Sequence, residues 1–230
     1  MKLLGIDFET SGLSADKDTI TEAGLVLYDT ELRAPVRISG FLVKGGLITA
    51  EITRITGITQ RAVDAYGYEP AAALKAITSF ANQADYFVAH NAPFDKSFLA
   101  ALDNGLANSK PWVDSRTDLP PGAYKLGKSA SLKYLCADHG FLYSAHRAVN
   151  DVLAMLQLMA MYDIDAIIKR SQIPNVEVRA QVSFDDRILA KERGYYWKPE
   201  LKQWRKPMKL DEVQAEKDAA GFPVILVETK

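Results

Sequence analysis

The chain has 230 residues, of which 48% are hydrophobic and 25% are charged, and its formal net charge is -1. This composition is typical of a folded globular protein with one sizeable domain and a small appendage, and it excludes disordered and fibrous classes. The net charge alone gives no reason to expect a nucleic-acid partner. The single cysteine, Cys136, excludes an intramolecular disulfide and a multi-cysteine zinc site. We expect a cytoplasmic protein without a signal peptide or a membrane span.

The first part of the chain predicts strands followed by alternating helices and strands. Short apolar and β-branched runs predict strands, and apolar residues at helical spacing predict helices. This order indicates an α/β domain with a mixed sheet covered by helices. The predicted strands are 3–8, 20–28, 36–43, 86–89 and 112–113, and the predicted helices are 71–84, 95–106, one from 131, and 148–162.

A domain boundary is predicted near residues 171–177, which gives domains at 1–172 and 178–230. The second domain is predicted as a small α+β module, which is marginal in size for independent folding. Its predicted elements are a strand at 178–184, a helix at 186–193, a hairpin at 195–205, a helix at 210–219 and a strand at 223–228.

Two acidic residues lie two positions apart at the end of the first predicted strand. The pleat places Asp7 and Glu9 on one face of the sheet. Paired carboxylates repel each other unless a cation lies between them, and hard oxygen ligands favour Mg²⁺ or Mn²⁺. The alternative is an exposed strand end with solvated acids, and the pair alone does not decide between the two.

Two further acids and one histidine extend this pair. Asp95 follows a predicted buried strand, where it could instead cap a helix. His146 precedes the longest predicted helix, and Asp151 lies beside its apolar stripe, where an acid is costly unless it is paired or binds metal. Together these residues suit phosphodiester hydrolysis, in which two metal ions activate water and stabilise the leaving oxygen. A histidine, with an unperturbed pKa of about 6.5, can accept the proton of the water.

The order and spacing of these residues resemble the DEDD exonuclease superfamily of the histidine subtype, also called DnaQ-like 3′→5′ exonucleases. Residues 7–10, 90–95 and 146–151 are similar to its three motifs, and the resemblance spans about residues 1–165. It implies a ribonuclease H-like fold with a mixed five-stranded sheet flanked by helices. It also implies two divalent metal ions, Mg²⁺ or Mn²⁺, as cofactors.

The resemblance assigns roles to individual residues of this chain. It implies that Asp7, Glu9 and Asp151 bind the first metal, that Asp7 also bridges to the second, and that Asp95 assists through bound water. His146 is implied as the general base. The segment after the first acid is implied to hold the terminal nucleotide, with Leu13 as an apolar wedge and further contacts from two other segments. The implied substrate residues are Phe8, Thr10, Ser11, Gly12, Leu13, Ile55 and Asn91.

The second domain carries basic residues interleaved with aromatic ones, which is the composition of a single-strand binder. Core packing of Trp197 and Trp204 is the alternative. We predict nucleic-acid contacts from Lys191, Arg193, Tyr196, Lys202 and Arg205. The family resemblance implies the 3′ end of DNA as the partner, with RNA trimming or non-catalytic nucleic-acid binding as alternatives.

Overall fold

The computed structural model describes residues 1–124 and 131–227. The chain divides into two compact units after Ile168, and the described part of the second unit is residues 169–227. The division lies close to the boundary predicted at 171–177. Within the described residues, no helix has both the length and the apolar content needed to cross a membrane.

The first unit is built on a mixed five-stranded sheet, as predicted. The strand order is β3-β2-β1-β4-β5. The pairs β1–β2 and β2–β3 are antiparallel, whereas β1–β4 and β4–β5 are parallel. The strands are β1 (Lys2–Thr10), β2 (Ile20–Asp29), β3 (Ala34–Leu42), β4 (Tyr86–Ala89) and β5 (Trp112–Asp114).

Helices cover both faces of this sheet. The helix predicted at 95–106 is wrong in extent, because two helices divide this range at Asp103. The extended backbone of Asp103 ends the first helix. Its side chain accepts a 2.9 Å hydrogen bond from the backbone N–H of Leu106 and caps the second. The helices are α1 (Ala50–Thr56), α2 (Gln60–Tyr66), α3 (Pro70–Ala81), α4 (Ala92–Leu102), α5 (Asn104–Ala107), α6 (Leu132–Asp138), α7 (Ala148–Met159) and α8 (Ile164–Ser171).

The packing of α7 against β1 and β2 determines the position of the acidic residues. Along β1, Leu3 belongs to the core on the α7 side of the sheet and Leu4 to the core on the other side, so the strand is apolar on both faces. A Cβ atom added to Gly24 of β2 would lie only 2.3 Å from the carbonyl carbon of Ala148. Glycine at position 24 therefore allows the first turn of α7 to lie directly on the sheet.

The second unit contains an antiparallel four-stranded sheet of order β7-β8-β6-β9 and two short helices, which agrees with the predicted α+β class. Its elements are β6 (Asn175–Ala180), α9 (Arg187–Glu192), β7 (Tyr196–Lys198), β8 (Gln203–Lys209), α10 (Val213–Ala219) and β9 (Val224–Val227).

Two predicted elements of this unit differ in position. The strand predicted at 178–184 begins at Asn175 and ends at Ala180, because the polar Glu177 fits a strand whose outer face carries ion pairs instead of a core. The helix predicted at 210–219 begins with a 3₁₀ turn, Leu210–Glu212, before α10. The last residue of the strand predicted at 223–228, Glu228, lies outside the described residues.

Candidate active site

Three carboxylates from two distant parts of the sequence meet at the C-terminal end of the central strand β1. Asp7 and Glu9 lie two apart on β1 and share a face, and Asp151 lies in the first turn of α7. One oxygen of each carboxylate lies within 4.8 Å of one oxygen of each of the others. The structure thus brings together the three residues predicted to bind the first metal.

The protonation of these acids reflects their crowding. Burial, followed by repulsion from Asp95, Asp151 and Glu9, raises the pKa of Asp7 well above its ordinary value. Burial and the charges of Asp151 and Glu22 raise the pKa of Glu9 to about 7. A divalent cation would reverse these effects, because it favours the ionised form of each carboxylate.

Asp95 lies behind this group and not within it. Its side chain is 2% exposed, and its Oδ1 atom accepts a 3.0 Å hydrogen bond from the backbone N–H of Phe8. Burial raises the pKa of Asp95 well above its ordinary value, although the hydrogen bond from Phe8 opposes the rise. The position of Asp95 suits an indirect role beside Asp7, as the resemblance implied.

The N-terminus of α7 is held by two acidic side chains. Oε2 of Glu22 accepts a 3.0 Å hydrogen bond from the backbone N–H of Ala148, and Oδ2 of Asp151 accepts one of 3.1 Å from that of Arg147. Helix N-termini leave such N–H groups without partners and favour negative charge. The guanidinium group of Arg147 also donates to Glu22, with an Nη2–Oε1 distance of 2.6 Å. This arrangement fixes the first turn of α7 against β2.

His146 lies directly before this anchored turn and is exposed. Its backbone adopts a left-handed conformation with a φ of 67°, which a non-glycine residue rarely adopts. Tyr143, three residues earlier, donates a 2.8 Å hydrogen bond from its hydroxyl to Oδ1 of Asp151. His146 and Asp151 are thus positioned by the same short segment.

A cavity of about 380 Å³ opens above the acids. Its walls combine acidic, basic and imidazole side chains, so it can accept a polar anionic group. The lining residues include Asp7, His90, Arg116, Tyr143, His146 and Asp151.

The ends of β4 and β5 form the opposite wall of this cavity. Nδ1 of His90 lies 2.8 Å from Oγ of Ser115, and the backbone N–H of Asn91 donates to Asp114 at 2.9 Å. Asn91 has a φ of 82°, a conformation that asparagine tolerates better than most residues. Its side-chain oxygen lies 3.4 Å from Nη1 of Arg116. The amide of Asn91 therefore lies beside the guanidinium group of Arg116, which lines the cavity.

The segment after Glu9 forms a tight loop at the C-terminal end of β1. The hydroxyl of Thr10 donates to the carbonyl of Gly12 at 2.5 Å, and the hydroxyl of Ser11 accepts from the backbone N–H of Thr19 at 3.0 Å. Leu13 is 88% exposed at the tip of the loop. An apolar side chain this exposed is consistent with the predicted wedge role.

Two other predicted substrate residues differ from each other in accessibility. Ile55 is exposed on α1 and keeps an accessible apolar side chain. The side chain of Phe8, by contrast, is buried in the core, and its N–H group already donates to Asp95. Phe8 therefore offers neither a free N–H group nor an accessible ring to a substrate.

The residues of the second unit that were predicted to contact nucleic acid also differ in accessibility. Lys191 and Lys202 are exposed. Arg205 is only 7% exposed and lies 3.1 Å from Glu177, and Arg193 forms two 3.0 Å hydrogen bonds with Glu216. The prediction treated both arginines as accessible cations, whereas the fold uses them in internal ion pairs. Tyr196 is partly exposed, with its hydroxyl donating to Glu177 at 3.0 Å.

The sequence analysis missed several residues of the site. Glu22 was not singled out, although it lies directly opposite Glu9 in the β1–β2 register. Such a position becomes visible only when the register of the two strands is known. Tyr143 lies eight residues before the predicted acid Asp151, and this proximity was its only signal in the sequence. Arg116 had no such signal, because it reaches the cavity only through the position of β5 beside β4.

Comparisons with known proteins agree with the fold and the motifs. A family model described as "Exonuclease" matches residues 4–159, and one described as "Domain of unknown function (DUF8626)" matches residues 176–227. No curated protein sequence matches the chain.

Solved structures show the same fold at low sequence identity. E. coli exonuclease I in complex with a dA16 oligonucleotide is 18% identical with a TM-score of 0.61, and the match covers 78% of this chain and 48% of that chain. Another exonuclease I structure is 16% identical with a TM-score of 0.66, covering 96% of this chain and 67% of that one. A 3′-exonuclease that recognises the histone mRNA stem-loop is 17% identical with a TM-score of 0.55, covering 70% and 62%.

The chain spans about half the length of the E. coli exonuclease I chain that it matches. These likenesses agree with the predicted ribonuclease H-like fold, and the family model covers most of the first unit, including Asp7, Asp95 and Asp151. The chain therefore belongs to the exonuclease family, in its DEDDh or DnaQ-like branch.

Proposed function

We propose that this chain is a metal-dependent 3′→5′ exonuclease that hydrolyses phosphodiester bonds at the 3′ end of single-stranded DNA and releases nucleoside monophosphates. The observation that carries the proposal is that oxygens of Asp7, Glu9 and Asp151 lie within 4.8 Å of one another, at a cavity that His146 lines. The similar exonuclease I structure holds an oligodeoxynucleotide, which supports DNA as the substrate.

The acidic group fits a small divalent cation. Opposite ligands of an octahedral Mg²⁺ ion lie about 4.2 Å apart, since each Mg–O distance is about 2.1 Å. The 4.8 Å spread of the three carboxylates would need only a small inward movement. We propose that Asp7, Glu9 and Asp151 hold one ion, that Asp7 is shared with a second, and that Asp95 acts through bound water. When bound, the two ions would lower the pKa of the attacking water and stabilise the leaving oxygen.

The protein's own groups would then orient and deprotonate the water. His146 is proposed as the general base, because its exposed imidazole lines the cavity with Asp7 and Asp151 and can pass a proton to solvent. The hydrogen bond from Tyr143 and the N–H group of Arg147 keep the Asp151 carboxylate facing Asp7. Such supporting hydrogen bonds fix the orientation of metal-binding carboxylates.

The terminal nucleotide is proposed to lie along the loop from Thr10 to Leu13. The exposed Leu13 side chain can insert between the last two bases, and Ile55 offers a second apolar contact. On the far wall, the amide of Asn91 and the guanidinium group of Arg116 can bind sugar and phosphate oxygens. These contacts do not read base identity, so little sequence preference is expected.

The test is degradation of a 3′-labelled oligonucleotide, with Mg²⁺ and with EDTA. Asp7→Asn is expected to abolish nucleotide release while circular dichroism shows an unchanged fold. His146→Ala is expected to lower kcat by about 10²–10⁴-fold, the usual contribution of a general base. Undiminished release by either variant would contradict the proposed site.

A panel of single-stranded and double-stranded DNA and RNA tests the substrate. Preferential release from single-stranded DNA is expected. Faster release from RNA would instead favour an exoribonuclease, and the likeness to the histone mRNA 3′-exonuclease makes this the second candidate. Binding without release from any substrate would indicate a non-catalytic nucleic-acid-binding protein.

A further inference from the structure

The second unit contains a large cavity beside the β7–β8 hairpin. Its volume is about 910 Å³, which is within the range of about 300–1,000 Å³ that ligand sites occupy. The segment 181–184 after β6, the helix α9 and the end of the hairpin form its walls. All of its lining residues belong to the second unit, so the cavity is separate from the acidic site described above.

The basic residues around this cavity fall into two groups. The first group is held by Glu177 or Glu216 in ion pairs of 2.7–3.2 Å and consists of Arg193, Lys198, Arg205 and Lys206. The second group lines the cavity and consists of Arg179, Arg187, Lys191 and Lys202. Among the residues that the structure describes, those that line the cavity include no aspartate or glutamate.

The second group lacks the internal partners of the first. Across residues 1–124 and 131–227, the ion pairs of the structure include none of its four members. Arg187 rests on the ring of Phe184 at 3.9 Å and donates to the carbonyl of the same residue. Cations that converge on one cavity repel each other, and an anion would relieve that repulsion. The charge pattern therefore fits an anionic ligand.

Aromatic rings lie among these cations. Trp197 and Trp204 are register partners on β7 and β8, with ring centroids 5.6 Å apart and planes inclined by 59°. Both line the cavity, and Trp197 is 45% exposed. Phe184, on the opposite wall, is 77% exposed. Rings placed in this way can stack on bases while nearby cations bind the phosphates.

We infer that this cavity binds a segment of single-stranded nucleic acid, with Lys191 and Lys202 on its phosphates and Trp197 stacked on a base. The inference rests on the proposed function only for the choice of nucleic acid as the ligand. An anionic membrane would also attract the cations, but the two tryptophans line a concave wall, which suits an inserted base better than a flat lipid surface.

Binding is tested on the full chain carrying Asp7→Asn in EDTA, by fluorescence anisotropy of a 5′-labelled oligothymidylate at several salt concentrations. Each phosphate contact of a single strand contributes about 0.7 to the slope of log K against log salt. The double change Lys191→Gln and Lys202→Gln is therefore expected to weaken binding and to reduce that slope by about 1.4. The matched control, Lys169→Gln with Lys217→Gln, removes two exposed charges of the same unit outside the cavity and is expected to keep the slope.

Stacking is tested with two substitutions at one position. Trp197→Ala is expected to weaken binding by about 5- to 150-fold, which is the loss of one stacked base. Trp197→Phe keeps an aromatic face and is expected to retain most of the affinity. Circular dichroism establishes that both variants fold, and a loss of affinity that phenylalanine does not rescue would contradict stacking.

Two additional ligands identify the anion. Weaker binding of a mononucleotide than of the strand is expected, as is weak binding to phosphatidylserine vesicles. Tight binding to vesicles without binding to the oligonucleotide would overturn the inference, and so would an unchanged slope in the lysine variant. Because these measurements use an inactive, metal-free chain, they can fail while the exonuclease assay succeeds, and the reverse also holds.

Discussion

Glu9→Gln tests the idea that the carboxylates destabilise each other until a cation is bound. The pKa of Glu9 is raised from 4.5 to about 7 by burial and by the charges of Asp151 and Glu22. A carboxyl group whose pKa is higher in the folded state than in the unfolded state costs no stability below about pH 4.5. The cost grows between about pH 4.5 and 7 and reaches its full value above about pH 7. A pKa difference of about 2.5 corresponds to about 3 kcal/mol of lost stability at pH 8.

Glutamine has nearly the same shape and carries no charge, so it removes this penalty. In EDTA at pH 8, Glu9→Gln is expected to raise Tm by about 6–12 °C, since each kcal/mol shifts Tm by about 2–4 °C in a protein of this size. At pH 4.5 the two proteins are expected to melt at similar temperatures. Scanning calorimetry at several pH values measures the difference, and the exposed Glu51→Gln serves as the control.

Magnesium is expected to narrow or reverse the difference in Tm between Glu9→Gln and the wild type. The wild-type protein gains about 2.7 kcal/mol when the ion is present at 100 times its Kd, whereas the variant lacks one of the three carboxylates and gains less. The variant is also expected to lose exonuclease activity. A glutamine variant that is less stable than the wild type in EDTA at pH 8, or equally shifted at every pH, would refute the reasoning.

Three other substitutions test how the site is positioned. Gly24→Ala is expected to reduce stability by about 1–3 kcal/mol and to reduce kcat, because the added methyl group collides with the first turn of α7; urea unfolding and initial rates measure both, and an unchanged rate would contradict the argument. Glu22→Gln is expected to cost about 1–2 kcal/mol, less than a fully buried pair because Arg147 is about half exposed, and to lower kcat more than it raises KM; a change in KM alone would speak against a positioning role. Tyr143→Phe is expected to raise the Mg²⁺ concentration for half-maximal activity by about 10-fold, and a normal Mg²⁺ titration would show that the hydroxyl does not orient Asp151.

The parts of the fold that depend on local pattern could be predicted from sequence. Alternation along β1 placed Asp7 and Glu9 on one face, and helical periodicity placed Asp151 at the start of α7, because both depend on neighbours close in the chain. The role of Glu22 could not be predicted, since it depends on the β1–β2 register and on a helix more than 120 residues away.

The second unit illustrates the same limit through its charges. A sequence pattern shows how many arginines and lysines a segment contains, but not which of them meet an acid. Arg205 pairs with Glu177, which is 28 residues earlier, and Arg193 pairs with Glu216, which is 23 residues later. Lys191 and Lys202 are not among the ion pairs of the described residues. Tertiary pairing therefore decided which basic residues could act as binding residues.

The three clustered acids come from distant parts of the sequence, so the cluster can form only late in synthesis. Asp7 and Glu9 leave the ribosome early, but Asp151, which lies 142 residues after Glu9, joins them only after α7 has packed on the sheet. Contacts of such long sequence separation form late in folding. If the proposed function holds, a nascent or truncated chain without a packed α7 would lack one of the three acids and would be inactive.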